Sequence, residues 1–202
     1  TVAYNSELAG REVVSKLNPN GLKHIFVVSE GSSVNGSALT KGMQAAAPKV
    51  LITGGLCGDD ARFERTLAGY NKPPDDGEIV VIGFYGESFE ASFSLYGGWI
   101  PFGPQRVVTR SEGNVLYEID GKPALDLYRM YLGEKAKELP GSALIYPLNV
   151  TSTENNQAFV RTILQIDEKQ NAMILAGDVP EQALVQLMMT NIDSLAVASE
   201  TA

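Results

Sequence analysis

Three features of the chain predict an α/β fold built on a mixed sheet. Two short apolar runs, residues 25–28 and 50–52, are separated by a polar loop and a helix-spaced stripe, which is the pattern of a βαβ unit. A third run, residues 79–85, precedes a segment of strict apolar and polar alternation at residues 89–96, which adds an antiparallel meander. Past residue 120 the style changes to helices and hairpins. This predicts a first α/β domain over 1–120, with helices packed on the sheet, and a smaller α+β part over 121–202.

Taken in order, residues 6–17 carry Ala9, Val13, Val14 and Leu17 at helical spacing, and Asn18-Pro19-Asn20-Gly21 stops that helix. Residues 25–28 form the first strand and 29–33 its loop. Asn35-Gly36-Ser37 opens a helix with Leu39, Met43 and Ala46 on its core face, and Pro48 ends it before the strand 50–52. Crossovers of this kind leave parallel strands, so the loops 29–33 and 53–60 should emerge at the same sheet edge, where open α/β sheets bind ligands. Residues 63–70 read as a strand, with a helix as the alternative. Residues 71–77 are turn chemistry and 79–85 a central strand.

The prolines and glycines of residues 97–104 predict irregular structure that holds Trp99 and Phe102 in place. A hairpin follows, with strands 105–110 and 114–119. Pro123 opens a helix striped by Ala124, Leu125, Tyr128 and Leu132 and closed by Gly133. A short helix over 134–139, a strand over 143–147, a polar loop over 151–156 and two strands over 159–166 and 173–176 come next. Asp178-Val179-Pro180-Glu181 has the spacing of a capping box, which predicts a helix burying Leu184, Leu187, Met188, Asn191 and Leu195.

The composition narrows the function. The chain has 202 residues, 44% hydrophobic and 20% charged, the profile of a globular protein with one large domain or two small ones. A formal net charge of −8 and a pI near 4.7 argue against nucleic acid or an anionic membrane as partner. No run approaches the roughly 20 apolar residues of a membrane span. One cysteine, Cys57, and one histidine, His24, exclude an internal disulfide and a zinc site, and a reducing, cytoplasmic setting fits best. The chain starts without Met, as a segment of a longer protein would.

The stretch from Thr53 to Thr66 draws the functional reading. Gly54, Gly55 and Gly58 follow the strand 50–52, where a strand runs out into a loop, so their amides can approach a ligand closely. Asp59, Asp60, Arg62 and Arg65 then place both signs of charge on one loop. Such a loop suits a small zwitterion: Arg62 or Arg65 with glycine amides for a carboxylate, and Asp59 or Asp60 for an ammonium. Ser29 and Glu30 add polar groups from the neighbouring loop, and Trp99 and Phe102 an apolar cover. The plainer alternative is a turn in which Asp59 or Asp60 bonds its own backbone.

These residues resemble the FIST sensory domain, a family named for F-box and intracellular signal transduction proteins. The resemblance rests on Val27-Val28-Ser29-Glu30-Gly31, Val34-Asn35-Gly36-Ser37, Thr53-Gly54-Gly55-Leu56, Gly58-Asp59 and Arg62-Phe63-Glu64-Arg65-Thr66. Gly97-Gly98-Trp99, Pro101-Phe102-Gly103-Pro104, the block from Gly113 to Tyr128, and Gly177-Asp178-Val179-Pro180-Glu181 extend it in family order over most of the chain. It implies a cytoplasmic input module that binds small ligands such as amino acids and works with signalling partners. It also implies an N-terminal half shortened at its start and the beginning of a C-terminal half. No catalytic residue, cofactor or metal comes with it.

Two other classes stay open at this level. An enzyme would use Cys57 as nucleophile, with Asp59 and Asp60 as acid and base or as ligands of a divalent ion. A pure interaction module would dock the segment from Trp99 to Pro104 on a partner domain or on a second copy of the chain.

Overall fold

The structure is a computed structural model that describes residues 2–60, 62–94, 96–153 and 156–201. The chain forms two compact units, Thr1–Phe93 and Ser94–Ala202, and it is a mixed α/β protein. None of its described helices is long and apolar enough to cross a membrane.

In the first unit, β1 (Leu22–Ser29), α2 (Gly36–Ala46) and β2 (Leu51–Leu56) make the predicted βαβ crossover after α1 (Val2–Ser15). β1 and β2 are parallel, with Ile25 opposite Ile52 and Val27 opposite Gly54. β3 (Ile79–Tyr85) runs antiparallel on the other side of β1, so the sheet order is β2-β1-β3. β1 is therefore the central strand and β3 lies at an edge, a correction to its predicted place.

α2 starts where Asn35 accepts from the Ala38 amide at 3.1 Å, satisfying a first-turn donor. Its Leu39 and Met43 pack with Val14 of α1 against Ile25 and Val27, placing both helices on one face of the sheet. Ala46 faces solvent, and Ala47 is buried in its stead. The helices meet closely: a Cβ on Gly42 would fall 1.9 Å from the Glu7 carbonyl oxygen, and one on Gly10 would fall 2.3 Å from that of Leu39. On the other face Phe26 and Ile82, directly paired, are 39% and 46% exposed.

Two predicted strands of this unit do not form. Residues 63–70 are neither strand nor helix and contribute one isolated bridge, Ala68 to Asp75. The alternating segment 89–96 makes no strand among its described residues, with Leu95 outside them. Instead Phe89 stacks on Phe84 and His24 at centroid distances of 5.2 and 6.2 Å.

The second unit is built on a curled antiparallel sheet. Its strands are β4 (Ile100–Glu112), β5 (Val115–Ile119), β6 (Lys122–Pro123), β7 (Leu148–Thr151), β8 (Ala158–Arg161), β9 (Ile163–Asp167), β10 (Ala172–Leu175) and β11 (Leu184–Met189). The order is β8-β7-β11-β4-β5-β10-β9, with β6 on β5. Only Thr162 separates β8 from β9, so the first and last strands are one strand that bends, and the sheet closes on itself like a barrel. The single strand predicted over 159–166 is thus two. Val108, Leu116, Val150, Ile163 and Leu175 fill the interior with Leu125 and Tyr128 of α3 (Ala124–Leu132). The predicted stripe of that helix is correct, and Gly133 closes it at φ +56.

Other expectations for this unit fail for identifiable reasons. Residues 100–104, expected to be irregular, open β4. A bulge opposite Gln186 absorbs Gly103 and Pro104, and the Gln186 side-chain amide donates to the Gly103 carbonyl at 2.7 Å. Residues 143–147 are not a strand: 3-10 turns span Gly133–Glu138 and Gly141–Leu144, and the ladder begins after Pro147, which has no N–H to give. Of the predicted loop 151–156, Thr151 belongs to β7, and Glu154 and Asn155 lie outside the described residues.

The largest error concerns residues 178–195. Leu184, Leu187 and Met188 fit a helix, but β11 pairs with both β4 and β7 and buries Val185 and Leu187. Glu181 does not cap a helix; its carboxylate accepts the Ser111 amide at 3.1 Å. The final helix, α4 (Ile192–Thr201), starts later, where Asn191 accepts from the Ser194 amide at 2.8 Å.

Candidate functional site

The C-terminal ends of β1 and β2 carry the two loops singled out by the sequence, and the loops are neighbours. The Cys57 amide donates to the Ser29 carbonyl at 2.8 Å, and a Cβ on Gly31 would fall 2.7 Å from the Cys57 carbonyl oxygen. Gly54 and Gly55, however, belong to β2 rather than to the loop. Gly54 has φ +146, and a Cβ there would fall 1.8 Å from the Val27 carbonyl oxygen, so glycine is needed for the two strands to approach. Gly58 lies in the loop and is exposed.

Ser29 and Glu30 are each 1% exposed and bond inward. The Ser29 hydroxyl donates to the Glu30 carbonyl at 2.9 Å. The Glu30 carboxylate accepts from the Ser32 amide, the Ser33 amide at 3.0 Å, the Ser33 hydroxyl at 2.6 Å and the Thr66 hydroxyl at 3.1 Å. Thr66 also accepts from the Gly31 amide at 2.7 Å, tying the 62–66 segment to the first loop. Burial pushes the Glu30 carboxyl up, but the combined bonds from Ser33, Ser32 and Thr66 outweigh it and hold the group below its usual range. Glu30 is a buried anion neutralised by hydrogen bonds. It fastens the loop.

Asp59 does the same for the second loop. Its carboxylate accepts from the Phe63, Glu64 and Arg65 amides at 3.0, 2.7 and 3.2 Å, and these bonds, that of Glu64 foremost, lower its pKa. The amide cradle a ligand carboxylate would use is thus filled by the protein's own side chain. Arg65 pairs with Asp75 at 2.7 Å and Asp76 at 3.0 Å. Asp60 is exposed at φ +62 and makes no hydrogen bond or ion pair among the described residues. Arg62 donates through Nε to the Asp59 carbonyl at 2.7 Å, and its terminal nitrogens have no partner among the described residues. Ala61, between these two, lies outside the described residues.

Trp99 and Phe102 fold with the second unit. Trp99 is half-buried, and its indole N–H is buried without an acceptor among the described residues. Phe102 packs on the barrel core and lines a cavity of about 30 Å³ with Arg106 and Tyr131. Arg106 donates to the Tyr131 hydroxyl at 2.8 Å and to Asp120 at 2.7 Å. The Val107 amide and Arg106 together hold the Asp120 carboxyl below its usual range. Sequence reasoning missed this trio because its members lie on three different elements. It also passed over the structural part played by Thr66, although Thr66 closes the motif.

The one histidine lies at the opposite end of the strands from Cys57, which follows the end of β2. His24, near the start of β1, bonds the Thr53 hydroxyl at 2.8 Å and stacks on Phe84. Among the described residues no group of three or more His, Cys, Asp or Glu side chains is placed to hold a metal ion.

Comparison with known proteins places this geometry in a family. The model of the FIST N domain matches residues 1–122, and that of the FIST C domain matches residues 124–202. An uncharacterised protein of Methanocaldococcus jannaschii is 29% identical over 161 residues, covering 70% of this chain. The match covers about 30% of that relative's length. No solved structure matches the chain. FIST domains are sensory domains of signal transduction and are not known as catalysts. With both family models covering it nearly end to end, the chain belongs to the FIST family of signal-transduction sensory domains.

Proposed function

We propose that the chain is the ligand-receiving part of a cytoplasmic sensor for a small zwitterion such as an amino acid, held at the loop edge beyond β1 and β2. One observation carries the reading. Asp60 and Arg62, of opposite charge and two residues apart, keep free charged ends on a loop where Asp59 and Arg65 are consumed by the fold, and Glu64 adds a second exposed carboxylate. Arg62 offers its terminal nitrogens to a carboxylate, Asp60 accepts an ammonium, and the exposed Gly55 and Gly58 leave room for the ligand. Ser29, Glu30, Gly54 and Asp59 contribute by holding the loops in place before the ligand arrives, which lowers the entropic cost of binding.

Calorimetry of the whole chain against a panel of L-amino acids tests this. At least one should bind, and Arg62→Ala and Asp60→Ala should each weaken it about tenfold, the loss of one charge-assisted bond. Binding by none of them, or unchanged binding in both variants, removes the reading.

A second reading, docking of a signalling partner, draws on the second unit. Ile100 and Met189 are paired on β4 and β11 and are 63% and 41% exposed, and Ile192 at the start of α4 is 81% exposed. Exposed apolar residues clustered in this way are typical of interaction surfaces.

A further inference from the structure

At the end of the small sheet away from the Ser29 and Cys57 loops, the last turns of α1 and α2 and the starts of β1 and β2 surround a cavity of about 370 Å³. Ligand pockets begin at roughly 300 Å³, so this one has room for a small organic molecule. Val14, Leu17, Leu22, Ala46, Ala47 and Val50 give it an apolar wall. Its one ionic lining residue is Lys49, exposed and without a partner among the described residues. Lys16 and Lys23 adjoin the lining residues Leu17 and Leu22 in sequence and also form no ion pair among the described residues. Glu12, the nearest acid in sequence, forms none either, and among the described residues no acid lines the cavity. Lys49 thus brings a positive charge to an otherwise uncharged wall in a chain of net charge −8.

We infer that this cavity binds a small organic monoanion with an apolar body, an aliphatic or aromatic carboxylate, whose charged end meets Lys49. An inorganic anion would leave the apolar wall unused, and a free amino acid would bring an ammonium with no acid to receive it. The site is therefore distinct in place and in ligand from the loop edge. It is also placed to act on the fold: the ligand touches the ends of both helices, and their close packing at Gly10 and Gly42 makes them move together.

The test is calorimetry of the whole chain with sodium octanoate, using n-octanol as its uncharged match. Octanoate should bind more tightly than octanol, and Lys49→Gln should weaken octanoate at least tenfold while leaving octanol unchanged. Ala46→Phe, at an exposed position on the wall, should fill the cavity and abolish binding of both. Arg62→Ala should leave octanoate binding intact, which separates this site from the loop edge whatever becomes of that one. The inference is overturned if octanoate does not bind, binds no better than octanol, or still binds Ala46→Phe. Sedimentation with phosphatidylglycerol vesicles without octanoate binding would also overturn it, because the lysines would then serve a membrane surface.

Discussion

Glu30 shows how much one side chain can organise. A carboxylate that is 1% exposed would be costly alone, but here it meets amide and hydroxyl donors from Ser32, Ser33 and Thr66. Glu30→Gln keeps the shape, removes the charge and turns one acceptor into a donor facing other donors. It should cost about 1–3 kcal/mol in urea unfolding, the range for leaving a buried hydrogen-bonding group unsatisfied. The pH dependence follows from the lowered folded pKa. Glu30 contributes its full stabilisation above its ordinary value of 4.5, and that contribution is lost as pH falls from there through the folded value. The acid limb of the stability curve should therefore be shallower in Glu30→Gln than in the wild type, and an unchanged limb would show that the carboxylate is not held as described. The sequence placed Glu30 and Asp59 in the right loops and gave their sign. It did not disclose their partners, because the donors to Asp59 are backbone amides of Phe63, Glu64 and Arg65 that any residue would supply once the loop had turned, and those to Glu30 include the Thr66 hydroxyl from 36 residues away.

Among the elements, the α1 and α2 pair is set by two glycines. A Cβ at position 42 would fall 1.9 Å from the Glu7 carbonyl oxygen, and backbone cannot step aside as a flexible side chain can. Gly42→Ala should raise helix propensity yet destabilise the protein by about 1–2 kcal/mol net, since overpacking at the upper end of its range of about 3 kcal/mol outweighs a propensity gain of roughly 1 kcal/mol. Chemical denaturation checks this, and a neutral or stabilising outcome would mean that the helices lie farther apart. The βαβ unit was legible because apolar runs, a capping Asn35 and the closing Pro48 all agree over a short span. β11 was not. Leu184, Leu187 and Met188 satisfy a helical period, and only Val185, paired with Arg106 on one side and Val150 on the other, argues for a strand. That argument lies in strands about 35 and 80 residues away in sequence, beyond the reach of local pattern reading. Gly54 misled for the same reason, because its demand for glycine comes from Val27 across the ladder, whereas a Cβ on Gly55 would meet nothing within 4 Å.

At the scale of the whole molecule, the two units carry separate cores of unequal strength. The first rests on Val14, Ile25, Val27, Leu39 and Met43, has helices on one face of its sheet, and leaves Phe26 and Ile82 partly in solvent on the other. The second closes its sheet around a broader set in which Val108, Leu116, Leu125, Val150, Ile163, Met173 and Leu175 are all at 0% exposure. Apolar burial is the main stabilising term, so the first unit should open at lower free energy than the second. Native-state hydrogen exchange reads this directly. The amides of β1 should exchange through an opening well below that which exposes β5 and β10, and Gly42→Ala should widen the gap by lowering only the first. Equal protection in β1 and β5, falling together in the variant, would mean that one cooperative transition governs the chain and that the two cores are not energetically separate. Under the proposals made above a sensory domain gains from the inequality, because binding free energy at the loop edge or at the helix ends would act on the part of the fold whose opening costs least.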